Sequence, residues 1–157
     1  MTAAEQPYWT PKDYLAFERA SDQKHEYLDG EIFAMTGASR RHNRIVTNLV
    51  VTLESQLKAK GCELYAIDMR VRVAATGLYT YPDVALVCGE PQFEDAEVDT
   101  LLNPRVVIEV LSKSTEDYDR GTKFLHYRAL DSLAEYLLIA QDRVHVEHYV
   151  RQSDSWL

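Results

Sequence analysis

Two carboxylates are conspicuous for the company they keep. Glu109 is the lone acid in Arg105-Val106-Val107-Ile108-Glu109-Val110-Leu111, and Asp83 is the lone acid in Tyr81-Pro82-Asp83-Val84-Ala85-Leu86-Val87. In extended chain, Val107, Glu109 and Leu111 share one face and Val106, Ile108 and Val110 the other, so both faces are apolar except at Glu109. A strand of that kind is covered on both sides. An ionised carboxylate within it is costly unless it is paired, hydrogen-bonded or metal-bound. Two acids converging from neighbouring strands suit Mg2+ or Mn2+, hard cations that take carboxylate oxygens and water and bridge to a substrate phosphate. The same residue types also suit a buried structural ion pair or, for Asp83 behind Pro82, a satisfied strand-start position. Residue types leave both readings open.

A cation stands within reach of this pair in sequence order. In Asp119-Arg120-Gly121-Thr122-Lys123-Phe124-Leu125-His126-Tyr127, helical spacing puts Arg120, Lys123, Tyr127 and Leu130 on one side. An inward Lys123 would orient an attacking water or stabilise charge on a phosphorane-like oxygen; snorkelling to solvent is the competing reading. His42 opens the longest helical stretch on the Val46, Leu49 and Leu53 side, either near the acids or as a capping or packing histidine. His145 and His148 fall on opposite faces of a strand and are discounted as a metal pair.

The elements that must position these groups are legible from periodicity. Thr10 before Pro11 predicts a helix from Thr10 to Ala20. His25 to Met35 predicts a β-hairpin around Asp29-Gly30. Ile45, Val46, Leu49, Val50, Leu53 and Leu57 recur at helical spacing from His42 to about Gly61. Strands are expected over Glu63–Val73, Tyr81–Val87, Arg105–Leu111, Glu135–Ala140 and Val144–Val150, with a helix over Asp117–Leu130. Gly89–Pro104 reads as an acidic surface loop, and Ser153–Leu157 as a turn opening into another strand. The expected class is α/β, a mixed β-sheet flanked by helices, with an additional N-terminal helix and hairpin.

The chain of 157 residues suits one domain. It has no apolar run of bilayer-spanning length and no signal-peptide pattern, which predicts a cytoplasmic protein without a membrane partner. Cys62 and Cys88 sit in no CxxC or Cys/His spacing and are read as free thiols. A formal charge of −8 argues against non-specific coating of nucleic acid, which needs a surplus of Lys and Arg. Arg40, Arg41 and Arg44 form a local basic cluster, readable also as a solvated helix start.

Taken together, Pro82-Asp83, Glu109-Val-Leu-Ser, Asp119-Arg-Gly-x-Lys123 with Tyr127, and Glu135-Tyr-Leu-Leu-Ile resemble the Uma2 family (DUF820) of restriction endonucleases within the PD-(D/E)XK nuclease superfamily. The resemblance runs from about Tyr14 to Val150 and includes the Glu26-Tyr-Leu-Asp-Gly-Glu31 hairpin and His42. It implies a restriction-endonuclease-like core over about 40–150 within a single domain spanning 1–157. It implies Asp83 and Glu109 as ligands of Mg2+ or Mn2+, with the Val110 carbonyl as a third. The superfamily lysine two residues after the acid is replaced here by Leu111, and the relocated lysine matches Lys123; Lys113 shares the strand parity of Glu109 and is the weaker match. Glu26, Glu31, His42 and Tyr127 form a second tier. The function so implied is a Mg2+-dependent endonuclease acting on nucleic acid, DNA first, as a homodimer. The alternatives are a silent binding or assembly module of the same fold and a hydrolase of smaller phosphate esters.

Overall fold

The strand that carries Glu109 is covered on both faces, on one side by a separate sheet with a short helix and on the other by the longest helix. The computed structural model describes residues 8–153 and 155–157. Helix α1 (Pro11–Ala20) begins where Thr10 Oγ1 accepts the Asp13 amide at 3.1 Å. Strands β1 (His25–Leu28) and β2 (Glu31–Ala34) form the expected hairpin. Its turn has φ of 48° at Asp29 and 81° at Gly30, the doubly positive pair that matches the twist of antiparallel strands. Helix α2 (Arg40–Lys58) starts two residues before His42, because the Ser39 hydroxyl caps the His42 amide at 3.1 Å.

The remaining elements are β3 (Cys62–Ala66), β4 (Arg70–Val73), β5 (Leu78–Thr80), β6 (Val84–Cys88), β7 (Thr100–Leu101), β8 (Val106–Val110), α3 (Glu116–Arg120), α4 (Thr122–Arg128), β9 (Glu135–Ile139) and β10 (Val146–Val150). One sheet runs β2-β1-β5-β4-β7 and the other β10-β9-β8-β6-β3. Among the described residues only the β8–β9 and β4–β7 pairs are parallel. The hairpin is therefore the edge of the first of these sheets, separate from the one that carries Glu109, where the sequence predicts an appendage to a single sheet.

Alternation sorts the core. The side of the second sheet bearing Ala85, Val87, Val107, Leu111, Tyr136 and Leu138 meets the first sheet and α4. The side bearing Val84, Leu86, Val106, Ile108 and Val110 lies under the apolar stripe of α2 around Val46. A smaller cluster of Tyr14, Leu15, Tyr27 and Tyr79 fixes α1 against the first sheet. Glu109 shares its parity with Val107 and Leu111, so its side chain is directed toward α4.

Four expectations are corrected. The stretch Glu63–Val73 is two strands in different sheets, β3 and β4, divided at Ile67, which takes φ of 51°. The helix expected over Asp117–Leu130 breaks at Gly121, and Arg120 turns outward to Glu116 and Glu147 while Lys123 turns inward. The acidic connection Gly89–Pro104 is more than a solvated loop: it contributes β7, and Asp95 and Asp99 grip Arg19 at 3.0 and 2.9 Å. Cys62 and Cys88 are disulfide-bonded rather than free, because the antiparallel register of β3 and β6 sets them directly opposite each other with Cα atoms 4.0 Å apart. No helix among the described residues is long and apolar enough to cross a membrane.

Candidate functional site

The antiparallel pairing of β6 and β8 matches Val84 with Ile108 and leaves Asp83 just beyond the last rung. There its Oδ2 accepts the Val110 amide at 2.8 Å, in place of a backbone partner. Its Oδ1 meets His42 Nε2 at 3.1 Å, so the first turn of α2 and the end of β6 are joined through one carboxylate. His42 Nδ1 is buried without a protein partner among the described residues.

Glu109 lies one residue before Val110 and points to the other side of the sheet. Lys123 Nζ stands 3.1 Å from Glu109 Oε1, and the Tyr127 hydroxyl donates to the same oxygen at 3.1 Å. Both side chains of the Glu109–Lys123 pair are at least nine-tenths buried. One turn before Lys123, Asp119 approaches the ammonium at 3.9 Å. On the hairpin, Glu26 accepts the Tyr118 hydroxyl at 2.7 Å.

All of these except the fully buried Tyr127 line one cleft of about 840 Å³, which also reaches Phe33, Arg41 and Lys113. Four acids, Glu26, Asp83, Glu109 and Asp119, line this cleft with one buried lysine. Burial raises the Glu109 carboxyl well above its ordinary value; Asp83 and Asp119 add to the rise and Lys123 opposes it. Burial also pushes Asp119 up to about 6, against the pull of Lys123. For Lys123, burial favours the neutral amine, but Glu109, Glu26 and Asp119 outweigh it, so the ammonium is held. Burial raises the Tyr127 hydroxyl as well, keeping it a neutral donor.

Of the sequence candidates, Asp83, Glu109, Lys123, His42, Tyr127 and Glu26 are brought together. Glu31 is exposed at the far end of the hairpin and does not line the cleft. Lys113 reaches the rim and makes no ion pair among the described residues, and His145 and His148 pair instead with Glu147 and Glu135. Asp119 and Tyr118 were missed as site residues. The available signal for Asp119 was its i, i+4 spacing from Lys123. No three His, Cys, Asp or Glu side chains among the described residues are grouped to hold a metal by themselves.

A family model described as "Uma2: Putative restriction endonuclease" matches residues 11–157. Two proteins of Synechocystis sp. (strain ATCC 27184 / PCC 6803 / Kazusa), named as uncharacterized proteins sll1609 and slr1290, are similar along most of their length. The first is 38% identical over 158 aligned residues, covering 100% of this chain and 89% of the relative. The second is 37% identical over 152, covering 96% and 79%. Among solved structures, the crystal structure of a "putative nuclease belonging to DUF820" from Anabaena variabilis ATCC 29413 superposes with a TM-score of 0.66, covering 89% of this chain and 83% of that one. At 17% identity that likeness is one of fold.

Proposed function

The chain belongs to the Uma2 family, and from that premise we propose that its cleft hydrolyses phosphodiester bonds in nucleic acid, DNA first, with Mg2+ or Mn2+. The observation that carries the reading is the 3.1 Å contact of Lys123 with Glu109, on the floor of a cleft where Asp83 is bonded to the very next residue, Val110.

The donor set fits a hard cation. Asp83, Glu109 and the Val110 carbonyl would hold it, all of them oxygens. The N–H and C=O of one strand residue face the same edge, so the Val110 carbonyl shares the edge whose amide goes to Asp83. Two carboxylates suffice for Mg2+, which keeps several waters and dispenses with a full protein cage, so the lack of a three-ligand cluster is compatible with it. The surplus of carboxylates over cations is an independent sign in its favour, since added positive charge would relieve the proton uptake of Glu109. When bound, such an ion polarises a phosphoryl oxygen and makes a coordinated water more acidic.

The protein groups then have distinct tasks. His42 Nε2 fixes the orientation of Asp83, and Tyr127 fixes that of Glu109. Lys123 carries three N–H donors and uses one on Glu109, leaving others to stabilise charge developing on a substrate oxygen. We place the enzyme in the cytoplasm and take a homodimer as its working assembly.

The decisive experiment incubates purified protein with single-stranded DNA, duplex DNA and RNA in Mn2+, in Mg2+ and in EDTA, with a simple phosphodiester ester alongside. Metal-dependent cleavage of a polynucleotide, abolished by Asp83→Asn and by Glu109→Gln, is expected. Absence of cleavage in every form, or full activity in either variant, overturns the proposal; turnover of the simple ester alone assigns the cleft to smaller substrates.

A further inference from the structure

The β1–β2 hairpin has two unlike faces. Its register sets Tyr27 opposite Ile32 and Glu26 opposite Phe33. Tyr27 and Ile32 pack into the cluster around Tyr14. On the other face Glu26 pairs with Phe33 and Leu28 with Glu31, and Glu26, Leu28, Phe33 and Met35 line the cleft. Phe33 is 48% exposed, belongs to none of the three apolar clusters and makes no aromatic pair among the described residues. A lone exposed apolar side chain needs no explanation on an ordinary surface. This ring, however, stands on the wall of the acidic cleft, directly across the hairpin from Glu26.

The same cleft is lined by Arg41 and Lys113, exposed cations that make no ion pair among the described residues. Arg143, also lining the cleft, is occupied by Asp142 at 3.4 Å. A free ring and two free cations are complementary to the two chemical parts of a nucleotide, the base and the phosphate. A duplex buries the faces of its bases in the stack and offers base edges and phosphates, so Phe33 finds no free π-face there. An unpaired strand offers a π-face at each base together with the same phosphates. The overall charge of −8 agrees with a short site of few phosphate contacts.

We propose that Phe33 is the stacking platform for an unpaired nucleobase beside the scissile phosphate, with Arg41 and Lys113 holding the adjoining backbone, so that the substrate is nucleic acid with a single-stranded segment. The substrate class rests on the nuclease reading above; the subsite itself is tested without catalysis.

The test measures fluorescence anisotropy of a short labelled oligothymidylate and of a labelled blunt duplex, both in EDTA so that nothing is cut. The wild-type protein binds the single strand more tightly. Phe33→Ala and Phe33→Leu, the latter keeping the apolar bulk without a flat face, weaken single-strand binding about tenfold, the loss of one stacked base, while Phe33→Trp preserves it. Arg41→Ala and Lys113→Ala each lower the slope of log affinity against log salt by about 0.7 on the single strand. The proposal is overturned if Phe33→Leu binds the single strand as wild type does, if the duplex binds equally well, or if neither oligonucleotide binds. Binding that depends on Phe33 without metal-dependent cleavage would sink the nuclease reading and leave the subsite standing; cleavage without that dependence would do the reverse.

Discussion

The Val110 amide donates a hydrogen bond of 2.8 Å to Asp83 Oδ2, tying the end of one central strand to the residue that follows Glu109 in the next. Asp83→Asn retains an oxygen acceptor at this point and removes the charge. It is expected to unfold at nearly the wild-type denaturant midpoint while cleavage falls to background. Asp83→Ala leaves both the Val110 amide and His42 without this partner, and should cost roughly 1–3 kcal/mol in the same unfolding assay.

Lys123 and Glu109 are buried together, so their loss is not additive. Lys123→Met leaves a carboxylate in the interior with Tyr127 as its remaining close donor, an arrangement that costs roughly 3–5 kcal/mol. Adding Glu109→Leu should restore most of that stability without restoring cleavage. A double-mutant cycle by chemical denaturation, with activity measured in parallel, separates the two effects.

Asp119 gives the metal-free protein a defined pH response. Burial raises its carboxyl from 3.8 to about 6, so between those values the folded chain holds a proton that the unfolded chain releases. Stability from this group is full below pH 3.8 and is lost as pH rises through about 6. Asp119→Asn should remove that decline and raise stability at pH 7 by roughly 2–3 kcal/mol. Unfolding midpoints across the window in EDTA read the difference.

The Cys62–Cys88 bridge sits at the end of β6 opposite to Asp83 and takes no part in lining the cleft. With the partners 26 positions apart in sequence, replacing both by Ser should lower stability by roughly 3 kcal/mol through the freer unfolded chain, with cleavage unchanged. Thermal unfolding with and without reductant, beside the double-Ser variant, measures it.

Ile67 holds a left-handed backbone conformation, its amide bonded to the Asp83 carbonyl at 2.9 Å. A β-branched residue is strained there, whereas asparagine tolerates the region. Ile67→Asn is expected to stabilise the fold by roughly 1 kcal/mol in denaturant titration.

Much of this molecule is local and was therefore legible in the chain. Period-two alternation alone set Glu109 apart from Val106, Ile108 and Val110, the Asp29-Gly30 pair announced a hairpin, and the stripe from Ile45 to Leu57 announced α2. Helical spacing brought Tyr127 to the side of Lys123, and the shared motif pattern preferred Lys123 to Lys113. What escaped was decided by which strand edges meet. Cys62 finds Cys88, and β3 and β4 part into different sheets, only because registers between segments far apart in sequence settle them. Gly121 breaks a stretch whose apolar spacing runs through it, turning Arg120 outward while Lys123 stays in. Asp119 gains its altered proton affinity, and Phe33 its place on the cleft wall, from neighbours on other elements. Side-chain periodicity is written in consecutive residues; burial, pairing and the field at a carboxylate are properties of the assembled sheets, and those only the tertiary structure decided.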